Sequence, residues 1–143
     1  MRAPTTVSAV ATALALLGGG LVAAGPAAAD DDPVMHHVRY TVTADAPFWA
    51  EIYYREVDPP SWSDYSHNPY EFSPKAESDV GPNLPWVHDT MLADPDSWAM
   101  VTVQSGDAPN IVPPRFSCTL EVDGKVVKTN SGNKGALCSL RNW

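Results

Sequence analysis

The chain has 143 residues, and nine lysines and arginines stand against seventeen aspartates and glutamates, so its formal net charge is −8. This acidic balance excludes the usual electrostatic route to nucleic acid, which needs a basic surface. A chain of this length can bury one hydrophobic core but not two, so we expect a single domain. Its two cysteines are typical of a structural disulfide in an exported protein.

The first 29 residues have the pattern of a signal peptide. Arg2 gives a short basic start, residues 7–24 are apolar and small, and a run of three alanines ends at Ala29 before Asp30. We therefore expect cleavage after Ala29 and export to the medium or the cell envelope. The alternative is that residues 7–24 are retained and anchor the protein in the inner membrane.

A short acidic lead over residues 30–37 is expected to be disordered, and the folded domain is expected to span residues 38–143. At its start, residues 38–44 and 48–57 alternate apolar and polar side chains, which is typical of β-strands with one buried face. The alternation places Arg55 on the solvent-facing side. Because only a short Asp-Ala-Pro break separates these strands, we predict that they form a hairpin.

Residues 58–85 carry six prolines among 28 residues. Proline is excluded from helix interiors and central strands, so this stretch is predicted to be loop or sheet edge. This stretch contains four large aromatic residues, which are Trp62, Tyr65, Tyr70 and Phe72. Their apolar area argues that the loop is ordered. Two interpretations remain open: these side chains cover one end of the core, or some stay exposed and bind a partner.

Two further strands are predicted over residues 86–92 and 98–103. In the first, Trp86 and His88 point to the opposite face from Val87 and Asp89. The second is almost free of charge, so we expect it to lie in the middle of its sheet. Residues 104–114 contain several prolines and a glycine and are predicted to be a loop.

The last stretch of the chain begins with a predicted hairpin. Residues 116–122 alternate so that Cys118 points inward, and residues 125–129 form a second strand. Between them, Asp123 and Gly124 can supply the two positive φ angles of a type I′ turn.

Both cysteines belong to this stretch. After a glycine-rich break, residues 136–141 put Cys138 on one face together with Ala136 and Leu140, so both sulfurs can meet in the same core. We therefore predict a disulfide between Cys118 and Cys138. In all, seven short strands without a segment of helical period indicate an all-β sandwich.

Two segments resemble a known family. VRYTVTADAPFWAEIYYREVD and FSCTLEVDGKVVKTNSGNKGALCSL are similar to the extracytoplasmic domain of the mycobacterial MmpS family. That resemblance implies an immunoglobulin-like β-sandwich and an accessory role in lipid or siderophore export. It also implies an MmpL-type membrane transporter, or a lipid-like ligand, as the partner.

The chemistry-bearing residues do not form a recognisable catalytic or metal motif. The four histidines are His36, His37, His67 and His88. No two of them have the spacing of metal ligands on one element, and no G-x-S-x-G motif is present. We expect no metal, no cofactor and no enzymatic activity, and predict an exported binding or accessory protein. The alternative is a small secreted enzyme whose site lies in residues 58–85 and uses His67.

Overall fold

The computed structural model describes residue 25, residues 31–107 and residues 109–143. The fold lies within the compact unit Asp32–Trp143. Apart from Gly25, the predicted signal peptide and the alternative anchor over residues 7–24 lie outside the described residues. Within the described part of the chain, no helix is long and apolar enough to cross a membrane.

Eight β-strands form two four-stranded antiparallel sheets, and the all-β sandwich expected from the sequence is confirmed. The strands are β1 (His36–Ala44), β2 (Phe48–Tyr54), β3 (Lys75–Val80), β4 (Trp86–Leu92), β5 (Met100–Gln104), β6 (Phe116–Val122), β7 (Lys125–Gly132) and β8 (Gly135–Ser139). The order is β4-β1-β6-β7 in the first sheet and β3-β2-β5-β8 in the second. The short helices are α1 (Trp62–His67), α2 (Pro69–Phe72) and α3 (Pro95–Trp98).

The core consists of inward-facing side chains from both sheets. The first sheet contributes Val38, Tyr40, Val42, Leu92, Phe116 and Leu120, and the second contributes Ala50, Ile52, Val80, Val101 and Val103. The period-2 pattern of the strands produces this arrangement, since alternate side chains point to opposite faces. Each large apolar side chain that is fully buried stabilises the fold by about 1.5–3 kcal/mol.

The predicted disulfide between Cys118 and Cys138 is confirmed, with a Cα–Cα distance of 6.0 Å. Cys118 lies on β6 of the first sheet and Cys138 on β8 of the second, so the bond joins the two layers. Of the three C-terminal strands, β6 pairs with β7. β8 pairs with β5 instead.

The hairpin of β6 and β7 turns at Asp123 and Gly124, as predicted. Their φ angles are +51° and +79°, which are the positive values that a type I′ turn needs. The Asp123 carboxylate also accepts hydrogen bonds from His36 Nδ1 (2.7 Å) and from the His37 backbone N–H (2.9 Å). These bonds lower the pKa of Asp123, and the bond from His36 has the largest effect. β1 therefore begins at His36, two residues earlier than the sequence pattern indicated.

The predicted hairpin of the first two strands is wrong. β1 lies between β4 and β6 in the first sheet, and both of its edges are paired. No edge of β1 is left for β2, so residues 45–47 carry the chain across to the second sheet. There β2 pairs with β3 and β5.

Residues 58–85 contain more regular structure than predicted. Three of the six prolines border elements: Pro69 is the first residue of α2, Pro74 directly precedes β3, and Pro85 directly precedes β4. β3 is an edge strand, which agrees with the prediction that this stretch is loop or sheet edge. It is also the eighth strand, which the prediction of seven strands had missed. Residues 86–92 form β4 as predicted. The next strand starts at Met100 and lies inside its sheet, but Trp98 belongs to α3.

Candidate binding site: an aromatic and arginine cluster

Helix α1 brings the first two aromatic side chains of the candidate site together. Ser61 caps the helix, because its Oγ accepts a hydrogen bond from the Asp64 N–H at 3.1 Å. Trp62 and Tyr65 are three residues apart and so lie on one side of the helix, with ring centroids 5.3 Å apart. The cap thus fixes where α1 begins, and with it the positions of these two residues.

Two tryptophans from other elements complete the aromatic group. Trp98 at the end of α3 stacks on Trp62, with centroids 6.1 Å apart and planes inclined by 20°. Trp143 lies 5.8 Å from Trp62 and 5.5 Å from Tyr65. Its indole N–H donates to Ser139 Oγ at 2.6 Å, which ties it to the end of β8. We call Trp62, Tyr65, Trp98 and Trp143, with the two arginines below, the aromatic–arginine cluster.

Two guanidinium groups lie against these rings. The Arg55 guanidinium carbon is 4.3 Å from the centroid of Tyr65, and that of Arg141 is 4.2 Å from the centroid of Trp62. Each also approaches Trp98 and Trp143 within 6 Å. Such contacts are cation–π interactions, worth about 0.5–1 kcal/mol when exposed and about 2 kcal/mol when desolvated.

The cluster has an inner and an outer side. Arg55 is fully buried, whereas Arg141 is exposed and Trp62 and Trp143 keep 49% and 44% of their surface exposed. The outer side therefore presents two indoles and a cation to solvent. In the described residues, no carboxylate lies within 4 Å of the Arg141 guanidinium.

Arg55 lies directly after β2, and its backbone is fixed on both sides. Its N–H donates to the Met100 carbonyl at 2.9 Å, and its own carbonyl accepts from the Tyr40 hydroxyl at 2.9 Å. Burial raises the pKa of Tyr40 well above its ordinary value, so this phenol remains a hydrogen-bond donor. The prediction that Arg55 faces solvent is wrong, because β2 ends at Tyr54 and the strand alternation ends with it.

The Arg55 side chain donates hydrogen bonds to two oxygen atoms of other residues. Nε donates to the Trp98 carbonyl at 3.2 Å and Nη1 donates to Ser73 Oγ at 2.6 Å. Nη2 is buried and has no acceptor among the described residues. No ion pair to Arg55 forms within that part of the chain either, so its charge is balanced only by dipoles and aromatic faces.

The four aromatic residues singled out from the sequence have three different environments. Trp62 and Tyr65 belong to the cluster. Tyr70 is 71% exposed and lies beside Tyr53, with centroids 6.2 Å apart. Phe72 is only 7% exposed, so it covers the core and is not available to a partner. Phe72 is therefore buried and Trp62 and Tyr70 are exposed, while binding of a partner by the exposed residues stays a prediction.

His67, the candidate of the enzyme interpretation, lies at the end of α1. Its Nδ1 donates to the Ser63 carbonyl at 2.7 Å, and its ring forms no ion pair within the described residues. The other histidines pair with single carboxylates: His36 with Asp123, His37 with Asp89, and His88 with Glu56. In the described ranges, no group of three or more His, Cys, Asp or Glu residues is arranged to hold a metal ion.

Sequence reasoning missed four members of the cluster, namely Arg55, Trp98, Arg141 and Trp143. The strand register explains how they meet. Met100 of β5 pairs with Ser139 of β8, so Trp98 and Arg141, each two residues beyond this pair, lie at the same end of the sheet. No local pattern reveals this pairing. The only available signal was that tryptophan and arginine follow the last strand.

Comparison with known proteins places the chain in a family. Residues 40–138 match the Rv2576c beta-sandwich domain, which covers well over half of the chain. The chain belongs to this family. Similar proteins include uncharacterized protein Rv2576c of Mycobacterium tuberculosis and uncharacterized protein Mb2606c of Mycobacterium bovis. Each is 37% identical over 142 residues, which cover 97% of this chain and 90% of the relative.

The Rv2576c family match overturns the resemblance to MmpS, which no comparison supports. The features on which that resemblance was based are alternating strands, an Asp-Gly turn, a glycine-containing break and the two cysteines. Unrelated β-sandwiches share them, because the architecture itself favours such features. Within the Rv2576c family domain, Arg55, Tyr65 and Trp98 fall inside the matched range, whereas Arg141 and Trp143 follow it.

Proposed function

We propose that this member of the Rv2576c family is an exported, non-catalytic binding protein of the cell envelope, and that the aromatic–arginine cluster binds an acidic segment of a protein partner. The observation that carries the proposal is the outer side of the cluster. Trp62, Trp143 and Arg141 are exposed there while their rings and guanidinium are held against one another. Tryptophan, tyrosine and arginine are the residues enriched in binding hot spots.

Preorganisation supports binding at this surface. Trp62 is held by a capped helix and by stacking on Trp98, and Trp143 is held by its bond to Ser139. A partner would therefore meet side chains that have already lost much of their conformational freedom, which reduces the entropic cost of association. Each such anchor is worth about 2 kcal/mol or more when buried at the centre of an interface.

Charge supports an acidic partner. Arg141 presents an exposed guanidinium without a carboxylate partner in the described part of the molecule, although the chain as a whole is acidic. Guanidinium groups pair with carboxylates in two-bond geometry, which gives direction as well as attraction. The MmpL-type transporter expected from the MmpS resemblance has no separate support and is not part of this proposal.

The test uses immobilised protein in four forms: wild type, Trp62→Ala, Arg141→Met and, as a control on another surface, Leu84→Ala. Leu84 is exposed and does not contact the cluster. A protein retained from envelope extract by the wild type is identified, purified and titrated against each form. We expect Trp62→Ala and Arg141→Met each to weaken its affinity by about tenfold or more, with only small decreases in melting temperature, and Leu84→Ala to have no effect on affinity.

Three outcomes would contradict the proposal. One is equal affinity of the wild type and both cluster variants for the purified partner. Another is retention that depends on lipid in the extract and disappears after delipidation, which would indicate a lipid-like ligand. The third is a large fall in melting temperature for both variants, which would make the cluster a structural cover.

A further inference from the structure

Arg55 is a buried cation whose hydrogen-bonding capacity is not fully used. It is 0% exposed, it has no carboxylate within 4 Å in the described chain, and Nη2 has no acceptor there. Buried charges in proteins are normally paired, because leaving water is costly for an ion. An unpaired buried donor therefore calls for an explanation, and one explanation is a ligand.

A cavity of about 370 Å³ is lined by neighbours of Arg55, although Arg55 itself does not line it. Its walls include Tyr53, Tyr65, Tyr70, Ser73, Met100 and Gln104. Three of these residues contact Arg55: the Tyr65 ring stacks on the guanidinium, Ser73 Oγ accepts from Nη1, and the Met100 carbonyl accepts from the backbone N–H. Two of these lining residues, Tyr65 and Ser73, therefore contact the charged group itself.

We propose that this cavity binds a small organic carboxylate with an aromatic or short acyl body, and that Arg55 supplies the positive charge that selects it. The volume lies within the lower part of the range for small-molecule sites. Tyr53, Tyr65 and Tyr70 offer flat apolar walls to the body of the ligand. The side chains of Ser73 and Gln104 are the polar groups that orient its head.

Ser73 connects the charge to the cavity. Its Oγ accepts from Arg55 Nη1, so its own hydroxyl hydrogen remains to donate, and no acceptor for it lies within the described residues. A hydroxyl whose oxygen accepts from a cation becomes a stronger donor. The chain of bonds from Arg55 through Ser73 to a carboxylate oxygen is complete once the carboxylate is present. Nη2 leaves a further donor on the same guanidinium.

One carboxylate is hydrogen-bonded to the lining residue Gln104 and is already neutralised in part. The Glu51 carboxylate accepts from Gln104 Nε2 at 2.7 Å and lies 3.3 Å from Lys75 Nζ. Its pKa is lowered by the hydrogen bonds from Gln104 and Lys75, so it is charged at neutral pH, with the lysine as its counterion. The site shares Tyr65 and Arg55 with the aromatic–arginine cluster but not its outer side, since Trp62 and Arg141 do not line the cavity.

The first experiment compares charged and neutral ligands of the same shape on the purified wild-type protein. Benzoate and benzamide are titrated separately while backbone amide signals are followed by NMR, and hexanoate and hexanamide are used in the same way. We expect saturable shifts at residues such as Ser73 and Gln104, with each carboxylate binding about tenfold more tightly than its amide. Equal affinity for the two members of each pair, or no saturable shift at the cavity residues, would overturn the proposal.

Two methionine variants then assign the charge. Arg55→Met keeps an apolar stem of similar length and should lose the preference for benzoate over benzamide. Arg141→Met removes a guanidinium from the outer side of the same aromatic rings and should keep the preference. If Arg55→Met does not fold, Ser73→Ala removes the connecting hydroxyl and should reduce the preference instead. A preference for benzoate that survives Arg55→Met would contradict the role assigned to Arg55. If Arg55→Met does not fold, a preference that survives Ser73→Ala would contradict it.

Discussion

Arg55 illustrates how a charged side chain can be accommodated in a small core. Three aromatic rings surround its guanidinium, and two oxygen atoms accept its hydrogen bonds. Each desolvated cation–π contact contributes up to about 2 kcal/mol and each hydrogen bond to a charged group about 1.5–3 kcal/mol. These terms are of the same size as the several kcal/mol that burial of an ion costs. The residue is therefore compatible with a stable fold even without a counterion.

The disulfide is the second residue-level feature with a large energetic effect. Cys118 and Cys138 are 20 residues apart and join the two sheets. In the chain-entropy model, closing a loop of this length stabilises the fold by about 3 kcal/mol. We predict that the double variant Cys118→Ser, Cys138→Ser melts at least about 10 °C below the wild type, because 1 kcal/mol shifts the melting temperature of such a domain by about 4–8 °C.

Reductant supplies the control for this prediction. Reduced wild type should melt close to the double variant, and the variant itself should not respond to reductant. Thermal unfolding monitored by circular dichroism measures both. A double variant that melts at the same temperature as the oxidised wild type would show that the covalent link between the sheets contributes little.

At the level of elements, the connection from β7 to β8 is the last place in the described chain where it crosses between the sheets. Gly132 and Gly135 flank this crossing. A Cβ atom on Gly135 would lie 2.3 Å from the Val103 carbonyl oxygen, on the backbone of the neighbouring strand β5. Because β8 must approach β5 this closely to pair with it, the position admits only glycine.

We therefore predict that Gly135→Ala destabilises the fold by about 1–3 kcal/mol, the usual cost of overpacking, or more if β8 detaches. Gly124→Ala is the comparison. Its Cβ would meet nothing within 4 Å, and its cost would come only from the positive φ angle, about 1 kcal/mol. Chemical denaturation of both variants gives the two free energies. A smaller loss for Gly135→Ala than for Gly124→Ala would contradict this account of the crossing.

The elements also show which parts of the fold can be read from the sequence. The β6–β7 hairpin was predictable because its turn residues and its alternation are local. The partner of β1 was not, because both neighbours of β1, β4 and β6, come from distant parts of the chain. Proximity along the chain favoured pairing of β1 with β2. Both edges of β1 are instead occupied by β4 and β6.

In the candidate site, too, only residues that lie close together in the sequence could be predicted. Trp62 and Tyr65 could be singled out because they are large aromatic residues in one proline-rich stretch. Arg55, Trp98 and Trp143 could not, because the pairing of β5 with both β2 and β8 brings them together. Phe72 and Tyr70 show that aromatic content alone does not separate buried from exposed positions: the first covers the core and the second lies on the surface.

At the scale of the whole molecule, charge is distributed unevenly. Residues 39–114 carry most of the acidic side chains, whereas five of the nine basic residues lie in residues 115–143, Arg141 among them. The net charge of −8 repels an acidic partner at long range, and Arg141 attracts it only at contact. Association with such a partner should therefore be governed by short-range contacts on the cluster rather than by electrostatic steering.

The last prediction concerns the form in which the protein reaches its partner. The proposed role requires export, and the apolar run followed by three alanines predicts cleavage after Ala29. We expect protein recovered from the culture medium to begin at Asp30, as measured by N-terminal sequencing. Signal peptidase needs a small residue before the cut, so Ala29→Trp should leave uncleaved precursor in the membrane fraction, whereas Asp32→Ala should be processed normally. Wild-type protein found only in membranes and still beginning at Met1 would instead support an anchor over residues 7–24, and the aromatic–arginine cluster would then act beside the membrane.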